Sequence, residues 1–196
     1  EFMRFIHGEL ELFKNTKEIR KIKKTIKKAV NILGVKNGPC NVDCIFTNSK
    51  KLVILGFAFK SNTNDTRESA AIKICKDLLE EGAQLAIHDP KVDSEQIARD
   101  LQLPASTAPA MDSGPTRAAL SGEGTWWPSD DVASALREAD AVIILTEWNQ
   151  YRDLDWSVLA PLMRQPAWLF DARSVVNPSE VRAAGLNFWR VGEGQS

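Results

Sequence analysis

From residue 51 onward, short apolar runs rich in β-branched residues alternate with longer amphipathic stretches. Runs such as LVIL and VIIL lack the polar alternation of a strand with one face in water, so we expect strands that are buried on both faces. The alternation predicts an α/β fold, a Rossmann-like doubly wound parallel sheet with helices on both faces. The predicted strands are residues 52–56, 84–88, 141–146, 168–171 and 187–191. The predicted helices are residues 69–81, 130–137, 155–163 and 178–184.

The first 50 residues differ in character from the rest of the chain. Lys and Arg outnumber Asp and Glu there, although the net charge of the whole chain is only −1. Apolar residues recur at steps of three and four through residues 16–33 and lysines fill the opposite face, which predicts a basic amphipathic helix. A short strand is predicted at residues 41–47. We therefore expect two domains, a leader of residues 1–50 and a Rossmann-like domain of residues 51–196.

Composition excludes several classes of protein. No apolar stretch is long enough to cross a membrane, and three cysteines are too few for a disulfide framework, so we expect a cytoplasmic protein. Cys75 is expected in the core, and Cys40 with Cys44 lacks the partners of a zinc site. Residues 103–124, rich in Ala, Ser, Pro and Gly, are predicted to form a surface loop.

The segment GFAFKSNTNDTRES, residues 56–69, leaves the first predicted strand and enters a helix. In doubly wound folds, ligands bind beyond the carboxyl ends of the strands, where a helix N-terminus offers free N–H groups to anions. The segment has only Gly56 and not the G-x-G-x-x-G spacing, so a tight dinucleotide turn is not predicted. It does supply two cations, Lys60 and Arg67, as candidate phosphate ligands.

Arg67 has a second interpretation. It could simply pair with Asp65 or Glu68 in the first turn of the helix. The residues alone favour neither interpretation over the other. Under either reading, Asp65 or Thr66 is expected to cap the helix.

Polar residues also follow the other predicted strands. Asp89 follows the second strand, where dinucleotide folds often hold a ribose, but that inference normally requires the missing glycine fingerprint. His88 before it is expected to be structural. Glu147 and Trp148 follow the third strand and could either line a site or pack at the sheet edge. Arg173 follows the fourth strand and is the better ligand candidate, because a cation directly after a buried run lies at the cleft.

These residues resemble a known family. KKLVILGFAFKSNTNDTRESAAIKICKDLLEEGAQLAIHDPKV resembles the opening of the C-terminal domain of UDP-glucose 6-dehydrogenases, and ADAVIILTEW and FDARSVV follow in the expected order. The resemblance covers residues 50–192. GFAFK followed by DTRES and DPK is its most specific part.

The resemblance implies an enzyme of two Rossmann-like domains joined by a long helix, which uses NAD to oxidise the sugar C6 hydroxyl of UDP-glucose twice and gives UDP-glucuronate. The C-terminal domain would hold the UDP part of the substrate. By position, Phe59 and Lys60 resemble substrate contacts, Arg173 resembles a phosphate ligand of the nucleotide sugar, and Arg67 resembles the arginine that reaches NAD across the cleft. This interpretation requires Lys60 and Arg173 to lie at one rim of the sheet.

The resemblance also has gaps. The NAD fingerprint and the catalytic cysteine of the family belong to its N-terminal portion and do not occur in these residues, so the chain alone is expected to be inactive. Asn64 stands where many relatives have Gly, and Ser174 stands where animal enzymes often have a second Arg. A complete small NAD-binding protein is disfavoured by the missing fingerprint.

The expected partners are UDP-glucose or UDP, the N-terminal NAD-binding domain of the parent enzyme, and further copies in a homo-oligomer. Neither a membrane nor nucleic acid is expected. The alternative is a non-catalytic binding or assembly module, in which the basic helix of residues 16–33 contacts nucleic acid or a partner protein.

Overall fold

A computed structural model describes residues 51–108 and 124–192. Within these ranges the strands are β1 (Lys51–Leu55), β2 (Gln84–His88), β3 (Thr125–Pro128), β4 (Ala141–Ile144), β5 (Trp168–Asp171) and β6 (Asn187–Arg190). The helices are α1 (Ala70–Glu80), α2 (Ser94–Leu101), α3 (Val132–Leu136), α4 (Asn149–Arg152), α5 (Trp156–Leu159) and α6 (Pro178–Ala183). A 3₁₀ turn, Ala160–Leu162, follows α5.

The strands form one parallel sheet in the order β3-β2-β1-β4-β5-β6. Leu52 of the central strand β1 pairs with Leu85 on one side and Ala141 on the other. Since crossovers between parallel strands are right-handed, this strand order places α1 and α2 on one face and the helices that follow β3 on the other. The fold predicted from the sequence is therefore confirmed, and the direction of winding reverses between β1 and β4, where such folds open a crevice.

The core is centred on β1, where Val53, Ile54 and Leu55 are completely buried. Helix α1 packs with Ala71, Cys75 and Leu79, which are four residues apart and so share one face. Burial raises the pKa of the Cys75 thiol to about 12, as expected for a cysteine that packs in the core. Each large apolar side chain buried in this way stabilises the fold by about 1.5–3 kcal/mol.

Three elements were not predicted from the sequence: β3, α2 and α4. Strand β3 has only four residues, TWWP, and lies at the edge of the sheet, where the missing N–H of Pro128 is tolerated. Helix α2 buries only Ile97 and Leu101, so its apolar residues recur too few times for the sequence pattern to indicate a helix. The other predicted strands and helices lie within two residues of their expected ends, apart from the helix predicted at 155–163, whose last turn is 3₁₀.

The cap predicted for α1 is wrong. The N-cap is Ser69, whose Oγ accepts a hydrogen bond from the Ala71 amide at 3.3 Å. The preceding residue, Glu68, has φ of +60°, so the helix cannot extend back to Asp65 or Thr66. The Asp65 carboxylate instead accepts from the Arg67 amide at 3.0 Å.

Several expectations lie outside the described residues. These are the basic helix at 16–33, the strand at 41–47, the cysteines at positions 40 and 44, and most of the loop at 103–124. In the described ranges, no helix is long and apolar enough to cross a membrane. Nor do those ranges contain a cluster of three or more His, Cys, Asp or Glu side chains that could hold a metal ion.

Candidate functional site

Three loops meet at the carboxyl edge of the sheet, where the strand order reverses. They are the segment of residues 56–69, called here the β1 loop, and the segments that follow β4 and β5. Arg173, after β5, donates from Nη2 to the Phe59 carbonyl at 3.0 Å and from Nε to the Leu145 carbonyl at 2.9 Å. Thr146, after β4, donates from Oγ1 to the Ala58 carbonyl at 2.7 Å. Side chains from two strands thus fix the backbone of the β1 loop.

The orientation of Arg173 leaves part of its guanidinium available. Nε and Nη2 are held by backbone carbonyls, whereas Nη1 makes no hydrogen bond to any residue that the structure describes. The side chain is 36% exposed. A cation fixed in this way can present its terminal edge, which consists of Nη1 and the second N–H of Nη2, to an anion. It does so without losing further side-chain freedom.

The structure brings Phe59, Lys60 and Arg173 together. Lys60 follows Phe59, whose carbonyl Arg173 binds, so both cations lie at one rim as the nucleotide interpretation requires. The Lys60 side chain is exposed, and the Phe59 residue is 44% exposed despite being a large apolar residue. The contact with a ligand stays a prediction for all three residues.

Arg67 lies farther along the β1 loop and has a partner of its own. Its Nη2 is 2.7 Å from Oδ2 of Asp65, and its Nε donates to Oδ1 at 2.9 Å. The Arg67 guanidinium lowers the pKa of Asp65 to about 2. The structure therefore contains an ion pair between Arg67 and Asp65, which was one of the two interpretations of Arg67. The Arg67 side chain is 87% exposed. Its contact with a cofactor stays a prediction.

Glu147 and Trp148, which could either line a site or pack, have different positions. Oε2 of Glu147 is 3.4 Å from Nε of Arg173, and Oε1 accepts from the Ser61 amide at 3.3 Å. Trp148 is 6% exposed, and its indole donates to Oδ2 of Asp89 at 3.2 Å. Glu147 therefore lies in the wall of the candidate site, whereas Trp148 packs beneath it.

Asp89 holds the start of the β1 loop. Its Oδ2 accepts from the amides of Phe57 and Ala58 at 2.7 and 3.0 Å, and its Oδ1 accepts from those of Lys91 and Val92 at 2.8 and 3.0 Å. The carboxylate is thus used within the protein and is not free to bind a ribose. An Asp followed by Pro favours a local turn, so the sequence could have indicated the bonds to Lys91 and Val92. It could not have indicated the bonds to Phe57 and Ala58, because these join distant segments of the chain.

Asp171 has the same role at the end of β5. It is completely buried, and it accepts from the amides of Arg173, Val175 and Val176 at 3.0, 2.7 and 3.0 Å. These bonds fix the backbone that carries Arg173. No local pattern in the sequence indicated this role of Asp171.

His88 and Tyr151 form a buried pair below the site. The Tyr151 hydroxyl donates to the His88 carbonyl at 3.0 Å and lies 2.8 Å from the ring atom Nδ1. Since the hydroxyl proton is directed to the carbonyl, Nδ1 supplies the proton of the second contact. Burial lowers the pKa of His88, although nearby carboxylates oppose the shift. His88 is structural, as expected.

This pair predicts a pH dependence of stability. Because the pKa of His88 in the folded protein is below its ordinary value of 6.5, the unfolded chain binds more protons between those two values. The contribution of His88 to stability is therefore present above pH 6.5 and is lost as the pH falls through the folded pKa. Urea denaturation at about pH 7.5 and about pH 5.5 should show lower stability at the lower pH, where most carboxylates remain ionised.

The variant His88→Gln is the control for this prediction. It should be less stable at neutral pH, but its stability should change less between the two pH values because the titrating group is gone. Equal pH dependence in the wild type and the variant would contradict the assignment.

A cleft of about 450 Å³ lies elsewhere, between the α4–α5 segment and α6. Three acidic residues, Asp153, Asp155 and Glu180, line it together with one cation, Arg152. That charge does not favour a phosphate. The cleft includes none of the residues that the sequence suggested as ligands.

Comparisons with known proteins identify the family of this chain. The model of the UDP-glucose/GDP-mannose dehydrogenase family, UDP binding domain, matches residues 53–178. UDP-glucose 6-dehydrogenase of Drosophila melanogaster is 40% identical over 146 residues, which cover 74% of this chain and 29% of that protein. UDP-glucose 6-dehydrogenase 2 of Oryza sativa subsp. japonica is 40% identical over 151 residues, with 74% and 30% covered.

A solved structure shares the fold. The NDP-N-acetyl-D-galactosaminuronic acid dehydrogenase from Methanosarcina mazei Go1 matches with a TM-score of 0.53 at 20% identity, over 89% of this chain and 29% of that one. The chain thus spans less than a third of each of these three relatives. Because the family match includes the β1 loop and the segments after β4 and β5, the chain belongs to the UDP-glucose/GDP-mannose dehydrogenase family and contains its UDP binding domain.

Proposed function

We propose that this domain binds UDP-glucose through its UDP part, as the C-terminal domain of an NAD-dependent UDP-glucose 6-dehydrogenase. The observation that carries the proposal is the contact between Arg173 and the Phe59 carbonyl, because it joins the cation after β5 to the loop that bears Lys60. The crevice of the fold opens at the same place.

The proposed ligand chemistry follows from the three side chains. The terminal edge of the Arg173 guanidinium can engage two oxygens of the diphosphate, and the Lys60 ammonium adds a mobile positive charge. The exposed ring of Phe59 offers an apolar surface to the nucleotide sugar.

The crevice of this domain does not fit NAD as a second ligand. The β1 loop lacks the closely spaced glycines of a dinucleotide turn, and the Asp89 carboxylate is occupied by backbone amides. We place NAD on the N-terminal domain of a longer enzyme, with Arg67 as the residue that reaches it across the cleft. We assign no catalytic residue to this chain.

In the proposed reaction, the complete enzyme uses two NAD and one water to oxidise the C6 hydroxyl of UDP-glucose twice, and gives UDP-glucuronate and two reduced NAD. The role of this domain is to hold the diphosphate so that the sugar reaches the other domain. We further propose a cytoplasmic homo-oligomer, in which residues 1–50 form a leader separate from the domain of residues 51–196.

Calorimetric titration of the full chain with UDP and UDP-glucose tests this function. We expect weak binding, because the domain forms only one side of the cleft. The double variant Lys60→Ala, Arg173→Ala should lose at least about tenfold in affinity, since hydrogen bonds to charged groups contribute about 1.5–3 kcal/mol each.

The matched control is Lys76→Ala, Arg99→Ala, which removes the same charge from α1 and α2. It should bind as the wild type does. Equal heats from the wild type and the Lys60, Arg173 variant would remove the proposed site.

A further inference from the structure

A carboxylate lies beside the two cations of the proposed diphosphate site. Glu147 follows β4, and its Oε2 is 3.4 Å from Nε of Arg173. An acidic group at an anion site repels the ligand, so its position calls for a physical reason.

The geometry of Glu147 indicates that reason. Its Oε1 accepts from the amide of Ser61, the residue after Lys60, at 3.3 Å. Its Oε2 is buried and makes no hydrogen bond to the residues described. It faces the Nε side of Arg173, where Leu145 also binds, and not Nη1. The carboxylate therefore bridges two loops and leaves the terminal edge of the guanidinium open.

We propose that Glu147 is a positioning residue of the UDP site. Its carboxylate holds Ser61 and Arg173 together, so that Lys60 and the terminal edge of Arg173 face the same diphosphate. The proposal rests on the proposed function and adds a residue that acts through Arg173 and the β1 loop without contacting the ligand.

The exposure of the pair decides where its effect will appear. The Glu147 and Arg173 side chains are 37% and 36% exposed, and ion pairs of such exposure contribute little to folding stability. Loss of the carboxylate should therefore change ligand affinity and the mobility of the β1 loop, while the thermal midpoint stays close to that of the wild type.

The experiment uses the full chain with the variants Glu147→Gln and Glu147→Ala, and with Glu80→Gln as a control on the exposed face of α1. Calorimetry with UDP should show about threefold to tenfold weaker binding for both Glu147 variants, the range that corresponds to one hydrogen bond. In the Arg173→Ala background, Glu147→Gln should have a smaller effect, because one of the two groups that the carboxylate holds is absent.

A second measurement needs no ligand. Limited trypsin digestion, with mass spectrometry of the Lys60–Ser61 cleavage product, should show faster cleavage in both Glu147 variants. Glu147→Ala removes the acceptor of the Ser61 amide and Glu147→Gln weakens it, so the loop is held less firmly. Glu80→Gln should match the wild type in both measurements.

The outcomes separate this proposal from the proposed function. If the wild type does not bind UDP, the proposed function fails, and the cleavage rate alone decides whether Glu147 holds the loop. Unchanged cleavage overturns the positioning role. Unchanged or tighter UDP binding by Glu147→Gln, or an equal loss in the Arg173→Ala background, also overturns it.

Discussion

Replacement of Gly56 by alanine should lower the free energy of unfolding by about 3 kcal/mol or more and abolish UDP binding. Gly56 is the first residue of the β1 loop and has φ of +92°, which an L side chain rarely adopts. Its amide donates to the His88 carbonyl at 2.8 Å, so the backbone cannot rotate freely to escape that conformation.

Steric conflict adds to the conformational cost. A Cβ at position 56 would lie 2.4 Å from Cβ of Thr146 and 2.7 Å from its amide nitrogen. Thr146 is completely buried and donates to the Ala58 carbonyl, so relief of the clash must break that bond or shift β4. Either change separates the loops that the proposed site requires.

Gly185→Ala is the matched control. Gly185 also has positive φ, +86°, but a Cβ there would meet nothing within 4 Å. It should cost only about 1 kcal/mol, the conformational part of the effect. Urea denaturation followed by tryptophan fluorescence measures both variants. Equal losses of stability for the two would show that the contact with Thr146 does not matter.

The central part of the fold could be predicted from the sequence because buried strands of a parallel sheet are visible as local apolar runs. The run at β1 and the run at β4 are of this kind, and they define the place where the strand order reverses. Strand β3 could not be found, since four residues that end in proline carry neither a run nor an alternation. An element can therefore be predicted from the sequence only where its apolar pattern extends over enough residues.

The candidate ligands could be predicted as a group, whereas the residues that hold them could not. Lys60 and Arg173 are cations directly after buried strands, so the topology alone places them at one edge. The bonds by which Asp89 and Glu147 hold the β1 loop instead come from backbone amides more than 30 residues away. Such bonds depend on how loops approach each other, and no local pattern in the sequence records them.

Asp89→Ala should lower the free energy of unfolding by about 3 kcal/mol, because it leaves several buried donors without an acceptor at about 1–3 kcal/mol each before relaxation. The amides of Phe57 and Ala58 are the costly ones, since both residues are completely buried and water cannot replace the carboxylate. The Trp148 indole also loses its acceptor. Asp153→Ala, at an exposed position, should change stability by less than about 0.5 kcal/mol.

Asp89→Asn separates the loss of stability from the loss of the site. It keeps one oxygen acceptor but directs an NH₂ group towards backbone amides, so we expect a folded protein in which one end of the β1 loop is released. Its affinity for UDP should fall although its far-UV circular dichroism matches the wild type, because Phe57 and Ala58 lead directly into Phe59 and Lys60. Wild-type affinity in this variant would show that the site does not depend on how the β1 loop is held, which would contradict the role assigned to Asp89.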